Sequence, residues 1–320
     1  MIDIRVLSRM GLLLSLSFVV WLFNDNFLNT GNIINVLRQA SILNILGIGM
    51  TLAIITGGID LSNGAVLAVS SCIAAIFLKQ GFPMLFGVVT AFAIGCACGF
   101  INGWIIARLK IPPFIMTYAM MFFARGLAYL SLRGQIIYGF SPMFRSIGAG
   151  DILGVPIPIL ISAVVTLIFL FVQNYTIFGS EIYAVGADEE ASRLCGVRTS
   201  KIVVWVYVLS GVLSALAGII YTSRLNAAEP VIGESFPLDA IAAVLIGGTP
   251  LKGGEGGIGG TIIGALIITV IINAMNLMGI SSLLQSLVLG ALILFMISAQ
   301  IYFRKVNLPG LYRQQLRRGS

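Results

Sequence analysis

The sequence predicts an all-α polytopic membrane protein, and three observations carry that reading. Of 320 residues, 58% are apolar and only 10% are charged, against roughly 25% charged in an average soluble domain. The mean hydropathy is +1.03. The apolar residues fall in successive runs separated by short polar stretches. A water-soluble domain cannot cover so much apolar surface, so that class is excluded. At about 20 residues per span, the length suits a single transmembrane domain over 1–320 with about ten helices and no large soluble module.

The runs lie at about 8–23, 40–56, 64–78, 83–107, 113–131, 155–173, 202–222, 238–247, 258–277 and 283–303. The first follows Arg5 and Arg9 and gives way to Asn24, Asp25 and Asn26, not to a small-x-small cleavage site, so an uncleaved span is predicted. Residues 133–151 form an outer loop rich in Gly and Ser, and 174–201 a polar inner stretch. Alternating crossings put thirteen basic residues inside: Arg5, Arg9, Arg108, Lys110, Arg193, Arg198, Lys201, Lys252, Arg304, Lys305, Arg313, Arg317 and Arg318. Five fall outside (Arg38, Lys79, Arg133, Arg145 and Arg224), and Arg125 lies within a span. This bias places both termini in the cytoplasm, and it accounts for the net charge of +7 without nucleic acid. Arg125 is read as snorkelling or as paired within the bundle.

With no histidine, metal and base chemistries that need one are excluded. The cysteines Cys72, Cys96, Cys98 and Cys195 lack metal-ligand spacing and read as small hydrophobes. No catalytic residue, metal site or cofactor is predicted for this chain. No G-x-x-x-x-G-K-[ST] motif occurs, so any ATP is bound by another chain. Gly254-Glu255-Gly256-Gly257-Ile258-Gly259 matches G-x-G-x-x-G in form but opens a membrane span, not a βαβ unit.

The piece 238–247 rises only about 15 Å as a helix, half the hydrocarbon thickness. It reads as half of a broken helix, and irregular backbone at that depth is tolerated only against protein or a water-filled cavity. An internal echo points the same way. The segments Gly57-Gly58-Ile59-Asp60-Leu61-Ser62-Asn63-Gly64 and Gly247-Gly248-Thr249-Pro250-Leu251-Lys252-Gly253-Gly254 match at Gly57, Leu61 and Gly64 with a constant offset (247 − 57 = 251 − 61 = 254 − 64 = 190). Matched interruptions in two halves suggest a transporter built from repeats. Gly57, Gly58, Ser62, Gly64, Gly247, Gly248, Gly253 and Gly254 are assigned to structural turns. Gly95, Gly99 and Gly103, and later Gly256, Gly260 and Gly264, recur every fourth residue and read as helix-packing faces or a subunit interface.

Asp60 stands nearly alone as an intramembrane carboxylate, with two readings: a cap for the helix that follows, or an ion relay. Asn44, Thr51, Asn102, Asn273 and Asn276 are polar residues within spans. Together with Asp60 they are the candidates for a pathway taken by a neutral, hydroxylated solute, although amides and hydroxyls equally bridge helices. In Asp188-Glu189-Glu190-Ala191-Ser192-Arg193-Leu194-Cys195-Gly196-Val197, Asp188 caps a short helix, the acids fill its first turn and Gly196 ends it. It serves either as a solvated connector or as a docking element.

Several stretches resemble the permease subunits of bacterial ABC importers for ribose and related sugars. They are Thr56-Gly57-Gly58-Ile59-Asp60-Leu61-Ser62, Tyr183-Ala184-Val185-Gly186, Leu238-Asp239-Ala240-Ile241-Ala242-Ala243-Val244, Gly247 to Gly254, and Asn276-Leu277-Met278-Gly279-Ile280-Ser281-Ser282. The resemblance runs in order over about 40–303. It implies a fold similar to vitamin-B12-type importers. It also implies a second permease subunit, cytoplasmic subunits that bind ATP and Mg, and a periplasmic sugar-binding protein. The chain itself would be no enzyme but the path for a monosaccharide, ribose first. The loop after the sixth helix would dock on the ATPase, which by position assigns Glu181, Tyr183, Gly186, Asp188, Glu189, Glu190, Ala191, Arg193, Leu194 and Gly196. Asn63 and Ala187-Asp188-Glu189-Glu190 depart from the family's usual pattern. The alternative, an ion-coupled secondary sugar transporter, calls for a cluster of intramembrane carboxylates.

Overall fold

The structure, a computed structural model, describes residues 4–298. Its helices are α1 (Ile4–Phe23), α2 (Thr30–Ile55), α3 (Asn63–Lys79), α4 (Met84–Leu109), α5 (Pro113–Leu132), α6 (Pro142–Ala149), α7 (Ile157–Tyr175), α8 (Ile177–Ala187), α9 (Glu189–Leu194), α10 (Thr199–Leu225), α11 (Phe236–Ile246), α12 (Ile258–Leu277) and α13 (Ser282–Ser298). Each apolar run is a helix as far as it is described; the end of the last run and the basic residues Arg304, Lys305, Arg313, Arg317 and Arg318 lie outside the described residues. Among the described residues, α2, α4, α5, α7, α10 and α12 are long and apolar enough to cross a membrane.

The long helices overrun their apolar runs. α2 begins ten residues early, at Thr30 instead of residue 40, because Asn29 caps it and accepts from the Gly31 amide at 2.9 Å. Its polar first turns, with Asn32, Asn35, Arg38 and Gln39, escape a hydropathy criterion. The loop 133–151 contains α6, which starts at a Ser141-Pro142 cap. Two short antiparallel ladders finish that end of the bundle: β1 (Ile137–Tyr138) with β4 (Ala227–Ala228), and β2 (Asp151–Ile152) with β3 (Val155–Pro156).

α2 is the axis. Every residue from Ala40 to Ile55 is buried, as expected of a helix apolar all round. α10, α12, α7 and α11 surround it, and α10 also packs closely on α4. Glycines set that approach: a Cβ on Gly99 would strike the Tyr207 carbonyl, and one on Gly103 would lie 2.7 Å from Val204 Cα. Gly260 and Gly264 similarly face Gly247 and Ala243 of α11. Gly256 is not part of that face; it lies before α12 with φ +103°.

α3 and α11 both begin inside the bundle. Asn63 and Gly64 at the start of α3 are buried, and a Cβ on Gly64 would strike the Gly233 carbonyl and lie 2.9 Å from Pro237 Cδ. The first turns of two short helices therefore meet in the interior, each reached by non-helical chain.

Candidate functional site

The stretch 181–197, expected from the sequence to dock on a partner, belongs to two helices, not one. α7 continues to Tyr175, and α8 starts immediately after Thr176, whose hydroxyl accepts from the Gly179 amide at 3.1 Å. Asp188 caps α9 by accepting from the Ala191 amide at 2.9 Å, Glu189 and Glu190 occupy its first turn, and Gly196 closes it with φ +89°. Ile182 and Val185 bury the inner face of α8. Gly186 is required there, because a Cβ would strike the Ile55 carbonyl and lie 2.7 Å from the Gly254 nitrogen. Tyr183 donates its phenol to the Gly256 carbonyl at 2.7 Å. Burial pushes that phenol above its ordinary range, which keeps it a donor. Glu189 pairs with Lys110 and accepts from Thr199 Oγ1 at 3.2 Å, tying α9 to the ends of α4 and α10. Glu181 is half-buried, whereas Glu190, Ala191, Arg193 and Leu194 face outward, Leu194 at 79% exposure.

The two echoing glycine segments converge beneath this elbow. α2 ends with Gly57 N–H on Ile54 O at 2.9 Å and Gly58 N–H on Ala53 O at 2.8 Å. α11 ends in the same way, with Gly248 on Leu245 at 2.9 Å and Thr249 on Val244 at 3.1 Å. In each case the glycine beyond the cap has positive φ, +81° at Gly57 and +80° at Gly248, as this helix ending requires. The conformational match is offset by 248 − 57 = 191, one more than the sequence match, because Thr56 and Gly247 are the respective caps. Gly254 then donates to the otherwise free Ile55 carbonyl at 2.8 Å, joining the two segments. Gly253 lies in this same turn. Gly64 does not; it is a helix residue at the α3–α11 contact.

Asp60 does not cap α3. Its Oδ1 accepts from the Ser62 amide (2.9 Å) and Ser62 Oγ (2.6 Å), and its Oδ2 from Ser210 Oγ (2.6 Å). The start of α3, with Ser62 as N-cap, carries no side-chain cap bond. Asn102 extends the network by donating to Ser62 Oγ at 2.9 Å. Most of the other predicted pathway residues bridge helices: Asn44 donates to Ser162 and Thr166, Thr51 bonds Thr261 at 2.6 Å, and Asn273 bonds Asn32. Asn276 is exposed and accepts from Gln285 at 2.8 Å.

Asp60 is not the sole interior carboxylate. Asp239, in the first turn of α11, is 3% exposed. Ser235 donates to its Oδ2 at 2.9 Å, and its Oδ1 has no partner. The signal was present in the sequence: an acid inside an apolar run too short to span. Asn63 is buried with neither amide atom paired. Arg125 is paired within the bundle, donating to the carbonyls of Pro230 and Ile232 (the latter at 2.7 Å) and so holding the non-helical approach to α11.

Interrupted helices meeting inside an apolar bundle, with a two-helix elbow at one end, define a multi-pass membrane permease. The chain belongs to the family described as branched-chain amino acid transport system / permease component, whose model matches residues 32–297. It is 43% identical to the ribose import permease protein RbsC of Haemophilus influenzae over 91% of each chain. It is 42% identical to the protein of the same name in Bacillus subtilis, over 90% of this chain and 91% of the relative. It is 35% identical to the D-allose transport system permease protein AlsC of Escherichia coli over 90% of each. No solved structure matches the chain.

Proposed function

We propose that this chain is the membrane-spanning subunit of an ATP-driven importer of a monosaccharide, with ribose the first candidate. The observation that carries the reading is identity of 42–43% over nine-tenths of the chain to proteins named for ribose import, against 35% to one named for D-allose. The ion-coupled alternative draws no support from these relatives.

In this reading ten helices cross the inner membrane, with both termini in the cytoplasm and a fold of the vitamin-B12-importer type. The permease works as a pair with a second permease subunit. Separate cytoplasmic subunits bind and hydrolyse ATP with Mg, and a periplasmic binding protein delivers the sugar. The chain performs no chemistry. The outward face of α9, with Glu190, Ala191, Arg193 and Leu194, rests on the ATPase, and α8 is the lever beneath it. Gly186 sits on the end of α2 and on the α11–α12 turn through Ile55 and Gly254, while Glu189 reaches α4 and α10 through Lys110 and Thr199. A rigid-body shift of α8–α9 on ATP binding thus bears on the helices that enclose the interior.

The test uses the permease with its ATPase and binding protein in nanodiscs, assayed for ATP hydrolysis against ribose, D-allose and fructose in turn. Stimulation by one sugar, abolished when residues 181–197 are deleted while the bundle stays folded, is the expected result. Sugar uptake into ATPase-free liposomes driven by an ion gradient would overturn it.

A further inference from the structure

The backbones of α4 and α10 touch at Gly95, Gly99 and Gly103, and beside that seam runs a groove of about 710 Å³. Ala93, Ala97, Phe100, Trp104 and Arg108 recur every three or four residues on α4, as do Lys201, Trp205 and Val208 on α10, so each set shares one face of its helix. The lining is graded along the groove. Arg108, Ser200 and Lys201 form one end, Trp104 and Trp205 stand one turn further on, and the remaining side chains are apolar. From Arg108 to Ala93 the helix rises about 22 Å, against about 15 Å for half of the hydrocarbon layer. The groove is therefore as deep as one leaflet together with its headgroup.

The charge at its head is uncompensated. Glu189, which lies beside the ends of both helices, is engaged by Lys110, and among the described residues Arg108 and Lys201 make no ion pair. Two exposed cations and a hydroxyl donor match the phosphodiester of a lipid. The headgroup has to be anionic overall, because the ammonium of a zwitterionic lipid would meet two like charges. Indoles favour the level of the headgroups, so Trp104 and Trp205 mark the surface end of the groove, and the apolar stretch beyond them takes an acyl chain. A second copy of the chain fits less well. A two-fold axis along the membrane normal keeps the two cationic ends at one depth and sets four cations together.

We propose that the α4–α10 groove binds an anionic glycerophospholipid, with its phosphodiester between Arg108 and Lys201 and one acyl chain along Phe100 and Val208. The inference goes beyond the transport reading and needs only the membrane-spanning bundle.

The test uses the full chain carrying Trp21→Phe in phosphatidylcholine vesicles. The chain has three tryptophans, Trp21, Trp104 and Trp205, so the indole emission of this parent comes from the groove alone. Lipid brominated on its acyl chains, which quenches indoles in contact with it, is added as phosphatidylglycerol or as phosphatidylcholine. The brominated phosphatidylglycerol should compete for the groove about twentyfold better, about fivefold for each basic residue. Arg108→Gln or Lys201→Gln should each reduce that preference to about fivefold, and the two together should abolish it. Quenching by brominated phosphatidylcholine should stay the same in these variants, which shows the groove intact. Lys252→Gln removes an equal charge from the α11–α12 turn, which Gly254 joins to Ile55 at the same end of the bundle, and should leave the preference unchanged. Equal quenching by both lipids in the parent overturns the proposal. So does an equal loss of preference with K252Q, the mark of diffuse surface charge. Indoles quenched by neither lipid would show the groove covered by a second copy or another protein, and would overturn it as well.

Discussion

Two carboxylates are buried near the starts of two short helices, and their surroundings differ. Asp60, just before α3, has three donors on its two oxygens, and one of those donors, Ser62, is itself held by Asn102. Asp239, within α11, has one donor and one idle oxygen. The first arrangement is closed: it locks the 56–62 crossing to α10 and leaves nothing to offer a solute. The second is incomplete: its idle oxygen is buried, although the residue itself borders a cavity. An intramembrane acid marks function by default, but its hydrogen-bond complement separates an acid built fully into the scaffold from one that is not.

The largest test of that contrast is removal of each acid. Asp60→Ala strands the Ser62 amide and two hydroxyls in the interior and should cost about 3 kcal/mol or more. The purified protein should lose yield and show a clearly lower thermal midpoint. Asp239→Asn should leave the midpoint nearly unchanged; equal damage from both would erase the distinction. Next in size is Gly64→Ala, whose methyl meets the Gly233 carbonyl. Overpacking at that depth should cost about 1–3 kcal/mol, read as a fall in the denaturant midpoint, and it tests whether the closed and incomplete regions share one rigid contact. The smallest effects separate two serines. Ser210→Ala, which empties one buried oxygen of Asp60, should destabilise by about 1.5 kcal/mol. Ser235→Ala, at an exposed position, should cost under about 1 kcal/mol. A reversed order in thermal melts would place the lock at Asp239 instead.

Much of this was legible in the sequence. Apolar runs located the helices because lipid leaves a backbone few alternatives, and the Asp188 cap and Gly196 stop of α9 follow from local chemistry. What escaped was the long-range part. Asn44, Thr51 and Asn273 read equally as path or bridge until their partners, more than a hundred residues away for Asn44 and Thr51 and at Asn32 for Asn273, were in view. Asp60 reads as solitary because Asp239 lies in an apolar run that also carries the family resemblance. α6 and the apolar α8 gave no span-length signal, and α8 takes its place from Gly186 and the glycine turn against it.

The grip of Arg125 on the Pro230 and Ile232 carbonyls bears on how the chain is made. α11 has eleven residues, and helices of that length reach only about half of the hydrocarbon layer. Such a segment leans on its neighbours, and α11 packs chiefly on α12 and α2. Arg125 precedes Pro230 by 105 residues in the chain, so the arginine is made before the segment that it holds. The arginine is an anchor that stands earlier in the chain than the short helix whose approach it fixes.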